Sequence, residues 1–154
     1  MWKDKLLIIP CSKIKIWHKN PQIKHIKAKD AYISPYFKLC RKFAESIDIS
    51  WLIFSAKYGL ISPDFIIPCN YDVSFNRNYD DKIISKIIKQ AEVHKIYTFH
   101  KIYSFCGENY NEILRIVLKV YKKSFIIPFP KDMRTIGKRQ KWIKHLYVNS
   151  HLLL

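Results

Sequence analysis

Four short stretches place polar or reactive side chains directly behind apolar runs. Pro10-Cys11-Ser12-Lys13 follows the run 5–9, and Ser55-Ala56-Lys57-Tyr58-Gly59 follows 51–54. Cys106-Gly107-Glu108 follows 101–105, and Pro128-Phe129-Pro130-Lys131 follows 124–128. In an open parallel sheet, ligands bind in the crevice beyond the carboxyl ends of the strands. If the four runs are such strands, these stretches face one hollow, and its lysines favour an anion. Lys57 follows a buried run directly, so its ammonium emerges at the rim. There it pairs with phosphate, acts as an amine if desolvation lowers its pKa, or is simply solvated. Asp72, in the long loop after the second run, suits a general acid or base or a group that stabilises a cationic transition state. Its competing role is an Asx turn or helix cap. Ser12 and Ser55 either donate to phosphate or hold a turn.

The expected catalytic set is therefore Lys57, Asp72 and Ser55. The expected ligand-binding set is Cys11, Ser12, Lys13, Tyr58, Gly59, Tyr71 and Gly107. Cys11 is either a nucleophile served by a distant histidine or a buried, inert thiol, because no histidine lies near it in sequence. Gly59 most simply supplies a positive φ in a tight turn. The chain lacks G-x-x-x-x-G-K-[ST], H-E-x-x-H and G-x-S-x-G, so P-loop, zincin and hydrolase-elbow chemistries lose support. Cys11, Cys40, Cys69 and Cys106 form no C-x-x-C knuckle, and neither a metal nor a cofactor is expected.

The elements that must position these residues alternate. The run KLLII at 5–9, ended by Pro10, predicts a strand buried on both faces. Residues 13–29 carry six lysines and no acid and read as an exposed basic loop. Ser34-Pro35 opens a helix, with Ser as N-cap and Pro at the first helical position. Trp51–Phe54 is a second buried strand, followed by a long loop to Phe75. Asn78 caps a third segment whose face is Tyr79, Ile83, Ile84, Ile87, Ile88 and Ala91, with Asp80 and Asp81 at its positive end. KIYSF at 101–105 predicts a strand, and its echo KIYTF at 95–99 a lead-in or edge strand. A helix through Tyr110–Leu118, a last strand at 124–128 and a basic helix bearing Trp142, Ile143, Leu146 and Tyr147 complete the order. Strands alternating with helices imply crossovers and a mostly parallel sheet. The predicted fold is an α/β three-layer sandwich with a Rossmann-like sheet of four or five strands, in one domain over 1–154 with an apolar tail at 148–154.

Composition bounds the partner. The formal net charge is +16, from 28 Lys+Arg against 12 Asp+Glu. Such an excess repels itself in a compact chain and draws an anionic partner, or else reflects a lysine-rich background. Charge is densest over residues 119–147, where Asp132 is the sole acid and Tyr121, Phe129 and Trp142 are interspersed. Basic side chains with nearby aromatics track a phosphate backbone and stack bases. Lys131, Arg134, Lys138, Arg139 and Lys141 are the expected nucleic-acid contacts. Trp142 shares helical spacing with Leu146, which also suits a core position. No apolar run approaches the ~20 residues that span a bilayer, and no signal peptide is visible, so a cytoplasmic protein with free thiols is expected. The tail His151-Leu152-Leu153-Leu154 packs on the body or on a second copy in a homodimer.

The segments PCSK at 10–13, DAYISPYFKLCRKFAE at 30–45, WLIFSAKYGLISPD at 51–64, YD at 71–72, CGENY at 106–110 and IGKRQKWI at 136–143 occur in this order. Together they resemble an uncharacterised α/β family marked by C-S-K, S-A-K-Y-G-L and a late I-G-x-x-Q-x-W. The resemblance covers nearly the whole chain. That family is similar, at greater distance, to peroxide-stress proteins of the YaaA type and to a domain of archaeosine synthase, whose members touch DNA or modified tRNA. The resemblance implies nucleobases in nucleic acid as the substrate realm and implies no particular reaction. The chain departs from the pattern in its lysine-rich segment 13–29, its approach through Asn70 to Tyr71-Asp72, and its tail. The expected function is DNA- or RNA-associated, with base or N-glycosidic chemistry. The alternatives are a non-catalytic nucleic-acid-binding accessory protein of a virus or mobile element, and a small-nucleotide hydrolase or transferase.

Overall fold

The structure, a computed structural model, describes residues 2–75, 79–133 and 135–153. Its centre is β1 (Lys5–Pro10), whose six residues are all buried. A continuous apolar run without alternation suits a strand covered on both faces. Successive residues of β1 enter opposite layers: Leu7 and Ile9 join one core, Leu6 and Ile8 the other.

After β1 come the short β2 (Ile26–Lys27) and a single helical turn, α1 (Ala28–Ala31). The helix α2 (Pro35–Ser46) begins as the sequence predicts, with Ser34 Oγ accepting from the Phe37 amide at 3.1 Å and Pro35 in the first turn. Then come β3 (Ser50–Ser55), β4 (Gly59–Ile61) and β5 (Ile66–Ile67). The remaining elements are α3 (Asp81–Val93), β6 (Lys101–Ser104), α4 (Glu108–Val120) and α5 (Ile136–Val148).

The main sheet runs β4-β3-β1-β6. Strands β3 and β6 lie parallel to β1 on either side, and β4 folds back antiparallel on β3. The helices α2 and α5 cover one face through Phe37, Cys40, Phe43, Ile143 and Leu146. The helices α3 and α4 cover the other through Ile87, Ala91, Ile113, Leu114, Val117 and Leu118. This is the expected three-layer α/β architecture with a mostly parallel sheet. The chain leaves β1 toward one layer and leaves β3 and β6 toward the other, so the connections diverge at the carboxyl end of β1, the place where open sheets of this kind bind ligands. Among the described residues, no helix is long and apolar enough to cross a membrane.

Several local expectations are corrected. The segment 13–29 is not uniformly exposed: Lys15 is 2% and Trp17 5% exposed. The Trp17 indole reaches the Ile23 carbonyl at 2.7 Å, which folds the segment over the sheet end. The KIYTF copy is not a strand. It forms a 3-10 turn over Ile96–Thr98, after Lys95 adopts a left-handed conformation at φ 50°. The stretch 124–128 contributes one parallel bridge, Ile126 to Tyr103, with hydrogen bonds of 2.8 and 2.9 Å to β6, before Pro128 and Pro130 remove further donors. Asn78 lies outside the described residues; Asp80 caps α3, accepting from the Ile83 amide at 2.9 Å. In the tail, Leu153 is buried and its carbonyl accepts a short hydrogen bond from Tyr103.

Candidate functional site at the carboxyl end of the sheet

The turn after β3 is organised by one hydroxyl. Ser55 is fully buried, and its Oγ accepts from the amides of Lys57 at 3.3 Å and Tyr58 at 3.1 Å. Both lone pairs are thereby used, so its proton goes to the Tyr71 hydroxyl, 3.0 Å away. Tyr71 in turn makes a short hydrogen bond with Tyr32. This chain of hydroxyls ties the β3 turn to the 71–72 loop and to the residue that follows α1. Burial pushes the Tyr71 phenol up to about 12, and it pushes Tyr32 higher still. Both phenols are therefore neutral at ordinary pH.

Two ammonium groups meet on the Tyr71 ring. Lys15 Nζ lies 4.2 Å from its centroid and Lys57 Nζ 5.4 Å. Tyr58 stands edge-on to the same ring at 5.4 Å, and Lys57 also lies 5.4 Å over Tyr58. Lys15 Nζ donates to the Lys13 carbonyl at 3.1 Å and forms no ion pair with a carboxylate among the described residues. Burial pulls its ammonium below the ordinary lysine value, while negative charge on Cys11 and Asp72 acts the other way. Lys15 was not singled out in the sequence, because its five lysine neighbours disguise it. The one available signal was its place between Ile14 and Ile16.

On the other side of β1, Cys11 Sγ lies 3.3 Å from the Tyr110 hydroxyl, near the start of α4. The Cys11 amide continues the ladder to Phe54 at 3.1 Å. Burial pushes the Tyr110 phenol well above its usual value. Behind β6, a buried polar knot fixes the strand end. Ser104 Oγ donates to Asn111 Oδ1 at 2.6 Å, and Asn111 Nδ2 donates to the Cys106 carbonyl at 3.1 Å. Burial pushes the Cys106 thiol up to about 12.

The structure thus gathers Cys11, Ser55, Lys57, Tyr58 and Tyr71 around one sheet end, and adds Lys15, Tyr32 and Tyr110. Asp72 is exposed beside Tyr71. Ser12 is turned to the Ile14 carbonyl at 2.6 Å, and Lys13 is exposed. Gly59 holds φ 77° where β4 begins, and a side chain there meets Gln90 Oε1 at 2.1 Å. Gly107 is the exposed N-cap of α4, with open space where a side chain would stand.

The basic C-terminal set divides. Lys131, Lys138 and Lys141 are exposed, and Arg134 lies outside the described residues. Arg139 turns inward: it donates to the Cys106 carbonyl at 2.9 Å, stacks 4.8 Å over Phe129, and keeps its Nε buried without a partner. The Trp142 indole donates to the Pro128 carbonyl at 2.5 Å. It packs against the core rather than standing as a platform.

Uncharacterized protein YfjM of Bacillus subtilis (strain 168) is 31% identical over 115 residues, which are 74% of this chain and 77% of that one. The crystal structure of AF0587, a protein of unknown function, superposes with a TM-score of 0.47 at 12% identity. It covers 93% of this chain, which spans only 45% of that one. The model of a family of unknown function, DUF6884, matches residues 6–145, and the chain belongs to that family.

Proposed function

We infer that the protein acts on nucleic acid, with the Tyr71 ring and the two lysines on it receiving a phosphate and its attached base. The observation that carries this reading is Lys15, a residue 2% exposed with no ion-paired carboxylate among the described residues, sharing one aromatic ring with Lys57. A buried cation without a counter-ion is costly, and a phosphate supplies the missing charge. The rings of Tyr58 and Tyr71 offer faces and edges to a base. Asp72 sits at the same rim and serves as the acid, base or oxocarbenium-stabilising carboxylate in N-glycosidic chemistry. Ser55 holds the turn that aims Lys57. The net charge of +16 and the resemblance to YaaA-type and archaeosine synthase proteins support the same substrate realm.

A binding protein without catalysis is the second reading. It is favoured by the closed hydroxyl chain Ser55–Tyr71–Tyr32, which leaves the Ser55 oxygen no free lone pair with which to attack.

Fluorescence anisotropy with labelled single strands of DNA and RNA at two salt concentrations tests the reading. Binding that weakens with salt, and weakens further in Lys15→Gln, is expected. Undetectable binding at low salt overturns it. Unchanged biological activity of a folded Lys57→Ala/Asp72→Ala variant selects the binding module over the enzyme. A rise in melting temperature with free nucleotides but not with polymers selects a small-nucleotide enzyme.

A further inference from the structure

A hollow lies beside the sheet edge, between α3 and β4, with a volume of about 710 Å³. Leu60, Phe65 and Val93 give it an apolar floor, and the α3 side is lined by Lys82, Lys86 and Lys89 against one acid, Asp81. Phe65 and Val93 are 36% and 76% exposed, so apolar surface faces solvent here. The three lysines stand at i, i+4 and i+7 and share one helix face, over about 10 Å of axis. None of the three pairs with a carboxylate among the described residues.

The occupant must be an elongated anion that also offers flat apolar faces. A peptide strand added to β4 is ruled out, because the outward backbone groups of that edge are already taken. Gln90 Oε1 accepts from the Leu60 amide at 2.9 Å, Gln90 Nε2 donates to the Tyr58 carbonyl at 2.6 Å, and the Leu60 carbonyl accepts from His94 at 3.2 Å. A duplex turns its bases inward and would leave the floor bare. An unpaired strand presents phosphates and base faces together.

The hollow also adjoins the Tyr71 site. The Phe65 ring lies 5.3 Å from Tyr58, which lies 5.4 Å from Tyr71, and Lys86 Nζ donates to the Lys57 carbonyl at 3.3 Å.

We propose that the groove between α3 and β4 carries single-stranded nucleic acid to the Tyr71 site, with phosphates on Lys82, Lys86 and Lys89 and bases against Phe65. This rests on the nucleic-acid reading above and adds strandedness and path to it. The test compares the wild type with the triple variant Lys82→Gln/Lys86→Gln/Lys89→Gln, whose changes lie on an exposed helix face; circular dichroism checks its fold. The probes are a single strand of about 12 nucleotides, within the range of known single-strand sites, its duplex and a dinucleotide.

The wild type is expected to bind the single strand about tenfold tighter than the duplex. The triple variant is expected to lose about tenfold in single-strand affinity, with a salt slope shallower by about 2 if three phosphate contacts go, while dinucleotide binding stays. Lys15→Gln weakens both. Unchanged single-strand affinity and slope in a folded triple variant overturn the groove alone, as does a duplex bound as tightly as the single strand. A wild type that binds none of the three probes overturns the Tyr71 reading and the groove with it. Displacement of an amphipathic anionic dye from the groove by no oligonucleotide marks a small-molecule site and overturns the proposal.

Discussion

The Lys15 ammonium rests 4.2 Å from the centre of the Tyr71 ring, and both residues are buried. A desolvated cation–ring contact is worth about 2 kcal/mol, whereas taking an ammonium from water costs several kcal/mol even after relaxation. The ring offsets only part of the cost, and the charge of Asp72 offsets a further part.

Lys15→Met should therefore fold, with a melting temperature at neutral pH equal to or above that of the wild type, while losing anion binding. The pH dependence has a defined sign. Burial lowers the folded-state value below the ordinary 10.5. Between the two values the unfolded chain binds more protons, so wild-type stability rises with pH. The penalty is full below the folded value and gone above about 10.5. Denaturant titrations should show the wild type gaining on Lys15→Met as pH climbs toward that value. A gap independent of pH would contradict a charged, buried Lys15.

Ser55→Ala removes one oxygen that serves two amides and one phenol. Leaving buried polar groups unsatisfied costs about 1–3 kcal/mol each at worst. A loss of about 2 kcal/mol in urea unfolding is expected, with Lys57-dependent binding weakened because the turn loosens. Ser55→Thr, which keeps the hydroxyl, should recover part of the binding.

Much of the frame was legible because it rests on local rules. The unbroken apolar run of β1, the Ser34 cap and the apolar stripes of α3 and α4 each declare themselves in a few residues. β4 did not, because three residues after a turn carry no period, and its strand character comes from pairing Leu60 with Phe54. The copy KIYTF shares its pattern with β6 yet is held in a 3-10 turn, so tertiary position overrode propensity there. Lys15 escaped because burial of a lysine is a property of the chain folding over it. Tyr32 and Tyr110 escaped because their hydroxyl partners lie 39 and 99 residues away.

Gly59→Ala tests the edge of the sheet. Its φ of 77° disfavours any side chain, and the new methyl meets Gln90 Oε1 at 2.1 Å. The expected loss is about 2 kcal/mol or more, given about 1 kcal/mol for the left-handed conformation and the rest from displaced hydrogen bonds. Gln90→Ala alone removes the clash partner but bares the β4 backbone, so it should raise concentration-dependent self-association in sedimentation runs. The double variant should cost less than the sum of the two, because one loss is shared. Strict additivity would mean that Gln90 does not hold this position.

The amide of Gln90 carries no charge, so its grip on the β4 backbone is indifferent to ionic strength and to acid or alkali. The lysines a turn or two away on α3 answer to salt instead. A partner held by those lysines can come and go as electrolyte varies, while the flank of the sheet remains stoppered and offers neighbouring molecules no seam to zip onto.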